Sequence, residues 1–322
     1  MILIKIGKRK FKSNNLCLAG GVAMNCVMNS KILESGLIQD IFIQPLAGDN
    51  GSMIGSAMLK YVEKTGRNDF EEMRHLYYGT KYSNSYIEKM LKSKGLRFEY
   101  LKEPYKQAAK LIAEDKVIGW FNGKMEAGAR ALGNRSILSN PTKKKNKERM
   151  NTIKYREQWR PLAVSILDEY KHKYLQGYIP NCADFMIIAR YIQNNMQDKI
   201  PAALHVDNST RPQVVKKDVN ESYYNLIKEF YKITGIPLVM NTSMNGRGEP
   251  IVENPEQALN LFNNTELDAL FLENYFILKT NSYEVNKRCS IMERSKENYS
   301  RWNTITIKTF RDVFARTLAF LF

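Results

Sequence analysis

Long apolar runs and paired cysteines are both missing from this sequence. The four cysteines, Cys17, Cys26, Cys182 and Cys289, form no CxxC pair and follow no zinc-like spacing, so reduced thiols are expected. No run approaches 18 apolar residues, which leaves no candidate membrane span. The opening MILIKIGKRKFKSNN puts its apolar stretch before the basic cluster, the reverse of a signal peptide. A cytoplasmic protein is the expectation. Low complexity goes no further than Lys143-Lys-Lys145, which after Pro141 reads as a solvated loop.

What is present is a chain of 322 residues, 43% hydrophobic, long enough for two domains or one large one. Its 49 Lys and Arg against 33 Asp and Glu give a net charge of +16, which favours nucleotides, phosphates or RNA as partners.

Two units near the start share one design. Leu16-Cys-Leu-Ala-Gly-Gly-Val-Ala-Met-Asn25 reads as strand and tight turn, with a helix from Val27 to Leu33. Ile41-Phe-Ile-Gln-Pro45 leads through Leu-Ala-Gly-Asp-Asn-Gly-Ser52 into a helix from Met53 to about Glu63. Parallel strands with working loops on one edge follow. The polar, aromatic stretch from Thr65 to Ser85 has no long period, and a domain boundary is placed near residue 76. Beyond it, strands are predicted at Val117–Phe121, Ala163–Leu167, Phe185–Ile192 and Pro237–Met240, with helices at Tyr86–Ser93, Glu148–Tyr155, Tyr223–Thr234 and Pro255–Asn263. The fold class is mixed α/β.

Several clusters suggest chemistry. Gly20 and Gly21, at a strand-to-helix junction, suit phosphate or ribose contact or a tight structural turn. Asp49, between Gly48 and Gly51, suits a metal or nucleotide, or an N-cap. The segment Gly123 to Arg160 combines glycines with Arg130, Arg135, Lys154, Arg156 and Arg160. Arginine's planar fork suits phosphate, carboxylate or a carbamoyl edge, and Trp159 and Pro161 argue for a partly buried, non-helical pocket wall rather than solvated charges. Polar loops at His205–Gln213 and Asn241–Glu249 complete the set, the second following directly on a strand. His205 admits a general-base and a structural reading; His75 and His172 stand alone.

Six motifs in order, including LAGGVAMN, QPLAGDNG, GKMEAGARALGNRSIL, KYREQWRP, HVDNSTR and NTSMNGRGEPIV, resemble the NodU/CmcH/TobZ-type O-carbamoyltransferases over roughly residues 14 to 280. The resemblance implies an actin-like (ASKHA) segment similar to TsaD over 1–75, a YrdC-like α/β domain over 76–283 and a basic tail over 284–322. It implies that the YrdC-like part converts carbamoyl phosphate and ATP to carbamoyl adenylate with loss of pyrophosphate. The actin-like part would then use a divalent metal, iron or similar, to pass the carbamoyl group to the hydroxyl of a small-molecule acceptor. By motif, Gly20, Gly21 and Asn25 correspond to the nucleotide loop and Asp49 to a metal ligand. Arg130, Lys154, Arg156 and Arg160 correspond to the carbamoyl-phosphate and ATP cations, and Asn241, Ser243 and Asn245 to the loop that closes the nucleotide site.

The sequence departs from that pattern in four places. The family's HxxxH pair cannot be built from histidines at 75, 172 and 205, so the metal site is incomplete. Ala129 stands where the family has proline, Ala183-Asp-Phe-Met186 lacks the usual serine, and the opening 15 residues resemble nothing in the family. A separate chain supplying the N-terminal half is therefore expected for activity. The alternatives are a non-catalytic RNA- or nucleotide-binding protein and an inactive gene fragment; aromatic residues interleave poorly with the basic clusters, which disfavours RNA.

Overall fold

The structure, a computed structural model, describes residues 1–279, and the compact unit treated below is Met1–Leu278. The basic tail expected over 284–322, its final turn Leu318–Phe322 and Cys289 lie outside the described residues.

The first elements are α1 (Ile2–Phe11), β1 (Asn15–Leu18), α2 (Cys26–Glu34), β2 (Asp40–Ile43) and α3 (Asp49–Thr65). β1 and β2 pair in parallel, Leu16 with Ile41 and Leu18 with Ile43. The two-residue period sends Ile41 and Ile43 inward and leaves Phe42 exposed. The repeated strand–loop–helix design is present with two adjustments. A 3-10 turn over Gly21–Met24 separates Gly20 from α2, and α3 begins at Asp49 with Gly48 in the N-cap position. Residues 66–83 form no regular element, as their composition predicts.

The remaining elements in chain order are α4 (Asn84–Ser93), β3 (Glu99–Tyr100), α5 (Pro104–Ala113), β4 (Ile118–Phe121), β5 (Arg135–Ser139), α6 (Lys144–Ile153) and β6 (Ala163–Leu167). After them come α7 (Lys171–Tyr174), β7 (Arg190–Tyr191), β8 (Ser209–Val215), α8 (Glu221–Thr234), β9 (Leu238–Ser243), α9 (Pro255–Asn264), β10 (Ala269–Leu272) and β11 (Tyr275–Leu278). All the strands from β3 on join one mixed nine-stranded sheet in the order β3-β11-β10-β4-β5-β9-β6-β8-β7.

Every residue of β4, β5, β6 and β10 is buried, which requires a layer on each face of the sheet. α5 and α8 supply one: Ala108, Ile112, Leu226 and Phe230 pack in one cluster with Trp120 and Val239. α4, α6 and α9 supply the other, where Ile87, Met150, Ala258 and Phe262 join Phe121, Ile137 and Met240. The mixed α/β class is the one read from the sequence. α9 also has the local signals for its start: Pro255 in the first turn and a reciprocal capping box between Asn254 and Gln257.

Two sequence expectations change. The strand predicted over Phe185–Ile192 is instead a 3-10 turn over Asn181–Phe185, a left-handed Met186 and the two-residue β7. A continuous apolar run does not reveal its conformation, and here side chains of α2 take the backbone groups that a strand would offer a neighbour. Asn29 Nδ2 donates to the Ile187 carbonyl at 2.7 Å, and Ser30 Oγ donates to the Ala189 carbonyl at 2.7 Å. Lys143–Lys145 is not a loop but the entry to α6. Lys143 and Lys145 remain solvated yet pair with Asp115, the latter at 3.8 Å.

Candidate functional site

Strand register brings the polar residues of distant motifs to one face of the large sheet. Arg211 on β8 lies opposite Ala163 on β6, which lies opposite Asn241 on β9; Ser243 lies opposite Ser136 on β5. Cross-strand partners share a face, so Arg211, Asn241 and Ser243 do too. Lys154 enters from the end of α6. There the left-handed Tyr155, φ 47°, turns the chain out of the helix, and the Arg156 N–H bonds the Asn151 carbonyl at 3.1 Å. The non-helical course expected for residues 156–161 is present. Trp159 does not bury it, however, since that side chain is 72% exposed.

Lys154 is the most constrained cation of the site. Only 6% exposed, its Nζ donates to the Ser243 carbonyl at 2.6 Å, to Ser243 Oγ at 3.1 Å and to Asn245 Oδ1. All three acceptors are neutral. Burial pushes its pKa down to about 7, with the Arg156 charge adding to the effect and Glu249 opposing it. Ser243 Oγ in turn donates to Asn245 Oδ1 at 2.6 Å, and Asn245 Nδ2 donates to the Glu249 carbonyl at 2.6 Å, which folds the 243–249 loop around the ammonium.

Arg156 lies close enough to Lys154 to act on it, and Arg156 and Arg130 in turn act on Arg211. Burial lowers the Arg211 pKa to about 10, and the Arg130 charge is the next cause, with Arg156 also contributing. Arg156 is likewise held to about 10 by burial and then by Arg160. Arg156 Nε donates to Asn151 Oδ1 at 2.6 Å, but its Nη2 is buried without a partner, as are Nε of Arg130 and Nε of Arg211. Unpartnered buried nitrogens also occur on Arg135 and Arg190, so they do not define the site alone. What sets this group apart is that Arg130 and Arg156 act on Arg211 as like charges, with Arg156 offset by the Glu157 carboxylate, a setting that suits an anion. Arg160 sits at the rim, exposed and paired with Glu157 at 2.6 Å.

Other sequence-predicted residues fall in different places. Cys26 lies close enough to Arg211 to act on its charge, which brings the Gly20–Asn25 loop to the edge of the cation cluster. Gly20, φ 94°, and Gly21 are exposed with open space where a side chain would be, so their backbone is accessible. Asn25 is occupied as the N-cap of α2, its Oδ1 accepting the Met28 N–H at 3.0 Å. Asn241 is fully buried, and its Nδ2 reaches Ser165 Oγ at 3.0 Å, Tyr223 OH at 3.2 Å and the Ala131 carbonyl at 3.3 Å. It belongs beneath the site rather than to the loop that closes it. His205 Nδ1 lies 3.1 Å from Ser209 Oγ and burial lowers its pKa, an arrangement that suits the structural reading. Asp49 is exposed in the first turn of α3. A cleft of about 330 Å³, part of it open solvent, lies against Tyr77, Leu132, Asp184, Gln213 and Asn220; none of Arg130, Lys154, Arg156 or Arg211 lines it.

A family model described as carbamoyltransferase C-terminus matches residues 109–279, just over half of the chain, and one described as carbamoyltransferase N-terminus matches residues 3–58. The chain belongs to the carbamoyltransferase family. Among its relatives, the uncharacterized protein MJ1058 of Methanocaldococcus jannaschii is 38% identical over 292 residues, 85% of this chain and 46% of that protein. The nodulation protein NolNO of Sinorhizobium fredii is 38% identical over 271 residues, 82% of this chain and 40% of that protein. This carbamoyltransferase chain thus spans about half the length of the curated relatives it matches. The solved structure of P. abyssi Sua5 complexed with L-threonine is similar at a TM-score of 0.38 and 14% identity, over 55% of this chain and 48% of that one. The N-terminal match begins at residue 3, so the opening residues do resemble the family, contrary to expectation. Short basic-apolar segments carry too little pattern to be recognised by eye.

Two residues of this member of the carbamoyltransferase family carry little signal in the sequence. Arg211 was visible only as part of Ser-Thr-Arg-Pro, and its place in the cluster depends on β8 pairing with β6. Glu126 carries no sequence signal beyond lying four residues before Arg130; it is 2% exposed, and its role is taken up below.

Proposed function

We propose that Lys154, Arg156, Arg130 and Arg211 bind the phosphates of carbamoyl phosphate and ATP, and that in a YrdC-like domain built around them water cleaves carbamoyl phosphate to carbamate and inorganic phosphate, after which the carbamate oxygen attacks the α-phosphate of ATP to give carbamoyl adenylate with loss of pyrophosphate. The carbamoyl group then passes to the hydroxyl of a small-molecule acceptor, with AMP as the leaving group and the hydroxyl proton released. The observation that carries this reading is the Lys154 ammonium, buried against three neutral oxygens, with the Arg156 charge beside it outweighing the carboxylate of Glu249. A cation in that setting gains most from an anionic ligand, and charge-assisted contacts to the departing pyrophosphate lower the barrier to adenylate formation. Ser243 and Asn245 hold the ammonium in place; the exposed Gly20–Gly21 backbone, adjoining Arg211 through Cys26, offers amides to the nucleotide.

Among the described residues the divalent metal finds only Asp49 of its expected ligands. Among the described residues no group of three His, Cys, Asp or Glu side chains is placed to hold an ion, so the donor set does not fit and no step is routed through a metal. A second polypeptide of the actin-like kind is the proposed source of the remaining ligands and of the acceptor pocket. The supporting feature is a bare apolar surface: α1 and α3 bury none of their residues, and Ile2, Leu3, Phe42, Met53 and Leu59 are exposed. No helix among the described residues is long and apolar enough to cross a membrane.

Isothermal titration with ATP and with carbamoyl phosphate, followed by a pyrophosphate-release assay with both present, tests the reading. Saturable heat with each ligand is expected. Absence of heat with both at millimolar concentration overturns the anion site, and steeply salt-dependent RNA binding in its place would favour the non-catalytic alternative.

A further inference from the structure

The loop that carries Arg130 is gripped from two sides. From one side Glu126 Oε1 accepts the backbone N–H groups of Leu132 at 2.7 Å, Asn134 at 2.7 Å and Arg135 at 3.2 Å. From the other, Asn241 Nδ2 donates to the Ala131 carbonyl at 3.3 Å, and Gln213 Nε2 and Tyr77 OH donate to the Leu132 carbonyl at 2.7 and 2.9 Å. Leu132 thus has its N–H and its carbonyl held from opposite sides, and Ala131, next to Arg130, is held by its carbonyl. Glu126 stands at the start of the loop, and the next residue, Ala127, is tied by its N–H to the Leu76 carbonyl at 2.7 Å.

Such a grip has a definite purpose at this place. Arg130 and Arg211 repel one another, and Arg130 Nε is buried without a hydrogen-bond partner. Without an anion between them, the easiest relief is for the Arg130 loop to swing away. A buried carboxylate accepting three amides resists that movement through short, charge-assisted bonds that a neutral acceptor matches poorly.

We propose that Glu126 is a positioning residue that acts through Arg130, holding that guanidinium in the anion site against the repulsion of Arg211. The proposal rests on the reading that Arg130 binds the phosphate ligand. It predicts that the Glu126 carboxylate contributes to ligand affinity only while Arg130 is present. A merely structural carboxylate would lower stability by the same amount but would not couple to Arg130 in binding.

The test is a double-mutant cycle on the full chain, with ATP as the probe: Glu126→Gln, Arg130→Ala and the double variant, each measured by titration calorimetry and thermal melting. Expected are folded proteins, a roughly tenfold weaker ATP affinity for Glu126→Gln, and a double variant no weaker than Arg130→Ala alone. If Arg130→Ala weakens ATP binding and Glu126→Gln does not, or if the two losses add, the positioning role is overturned and the anion site stands. If Arg130→Ala binds ATP as the parent does, the site reading falls and the proposal with it. Should Glu126→Gln fail to fold, Glu126→Asp, which keeps the charge but withdraws it from the amides, decides by the same cycle. Failure of both to fold would make Glu126 a determinant of the fold and overturn the assignment.

Discussion

Lys154 and Ser243, 89 residues apart in sequence, meet through a 2.6 Å bond from the ammonium to a main-chain carbonyl, with a second bond to the Ser243 hydroxyl at 3.1 Å. The contact joins the end of α6 to the end of β9 and makes one site of two motifs. Because neither acceptor is charged, the positive charge of Lys154 remains available to a ligand.

Replacing Lys154 by Met keeps the stem and removes the charge. ATP affinity should fall by about tenfold or more, the worth of a charge-assisted bond. Thermal stability should hold or rise, because an uncompensated buried charge is removed. Calorimetry and melting of the same sample separate the two effects; a large loss of stability with unchanged affinity would make Lys154 a structural residue.

The pH dependence has a defined sign. Lys154 titrates near 7 in the folded chain and near its ordinary 10.5 when unfolded, so between those values the unfolded state binds more protons. The cost of the buried charge is fully present below pH 7 and is relieved as pH rises towards 10.5. Stability of the ligand-free protein should therefore climb across this window relative to Lys154→Met, as urea titrations would read. ATP affinity should move the other way, falling by up to about tenfold per pH unit above about 8, where ionisation of ATP is nearly complete. Parallel pH profiles for parent and Lys154→Met would contradict both expectations.

Arg135 is a cation of a different kind. Fully buried, it lies 3.5 Å over the Phe121 ring and donates to the carbonyls of Asn122, Gly123, Asn134 and Thr80 at 3.0 to 3.2 Å. Arg135→Met should cost roughly 3 kcal/mol or more, since it leaves several buried carbonyls without a donor. Lysine should rescue little of this, lacking the planar fork. Urea denaturation of both variants measures it; near-parent stability in either would refute this account of the residue.

Gly133 has φ 103°, and a Cβ there would lie 2.1 Å from Tyr223 Cδ1. Gly133→Ala therefore combines backbone strain with a clash against a buried ring, and a loss above about 2 kcal/mol is expected. Gly235, φ 71°, has open space around its Cβ position and isolates the strain alone. Gly235→Ala should cost about 1 kcal/mol. Equal losses in the two variants would show that the Tyr223 contact is unimportant.

Legibility followed range. The helices that became α4, α8 and α9 were readable because apolar period and caps are local, and β6 was predicted to the residue. The Phe185–Ile192 segment misled because its partner, α2, is more than 150 residues away in sequence, and no local pattern announces Asn29 and Ser30 as its acceptors and donors. The motif resemblance places Asn241 with Ser243 and Asn245 in the loop that closes the nucleotide site. Only the strand geometry puts its amide under Ala131 while Ser243, two residues on, reaches Lys154.

Sequence alone determined the class of the fold, the family and the identity of the cations, because binary pattern and motif order are properties of the chain. Tertiary structure alone decided which cations act together. Arg130 and Arg156 come near Arg211, and Lys154 near Arg156, through strand register and the turn after α6, whereas Arg135, in the same motif as Arg130, is spent on the main-chain carbonyls of Thr80, Asn122, Gly123 and Asn134. The physical reason is that charge and hydrogen-bonding capacity are written in each residue, but whether they face a ligand or the backbone depends on burial and on neighbours that the chain meets only when folded.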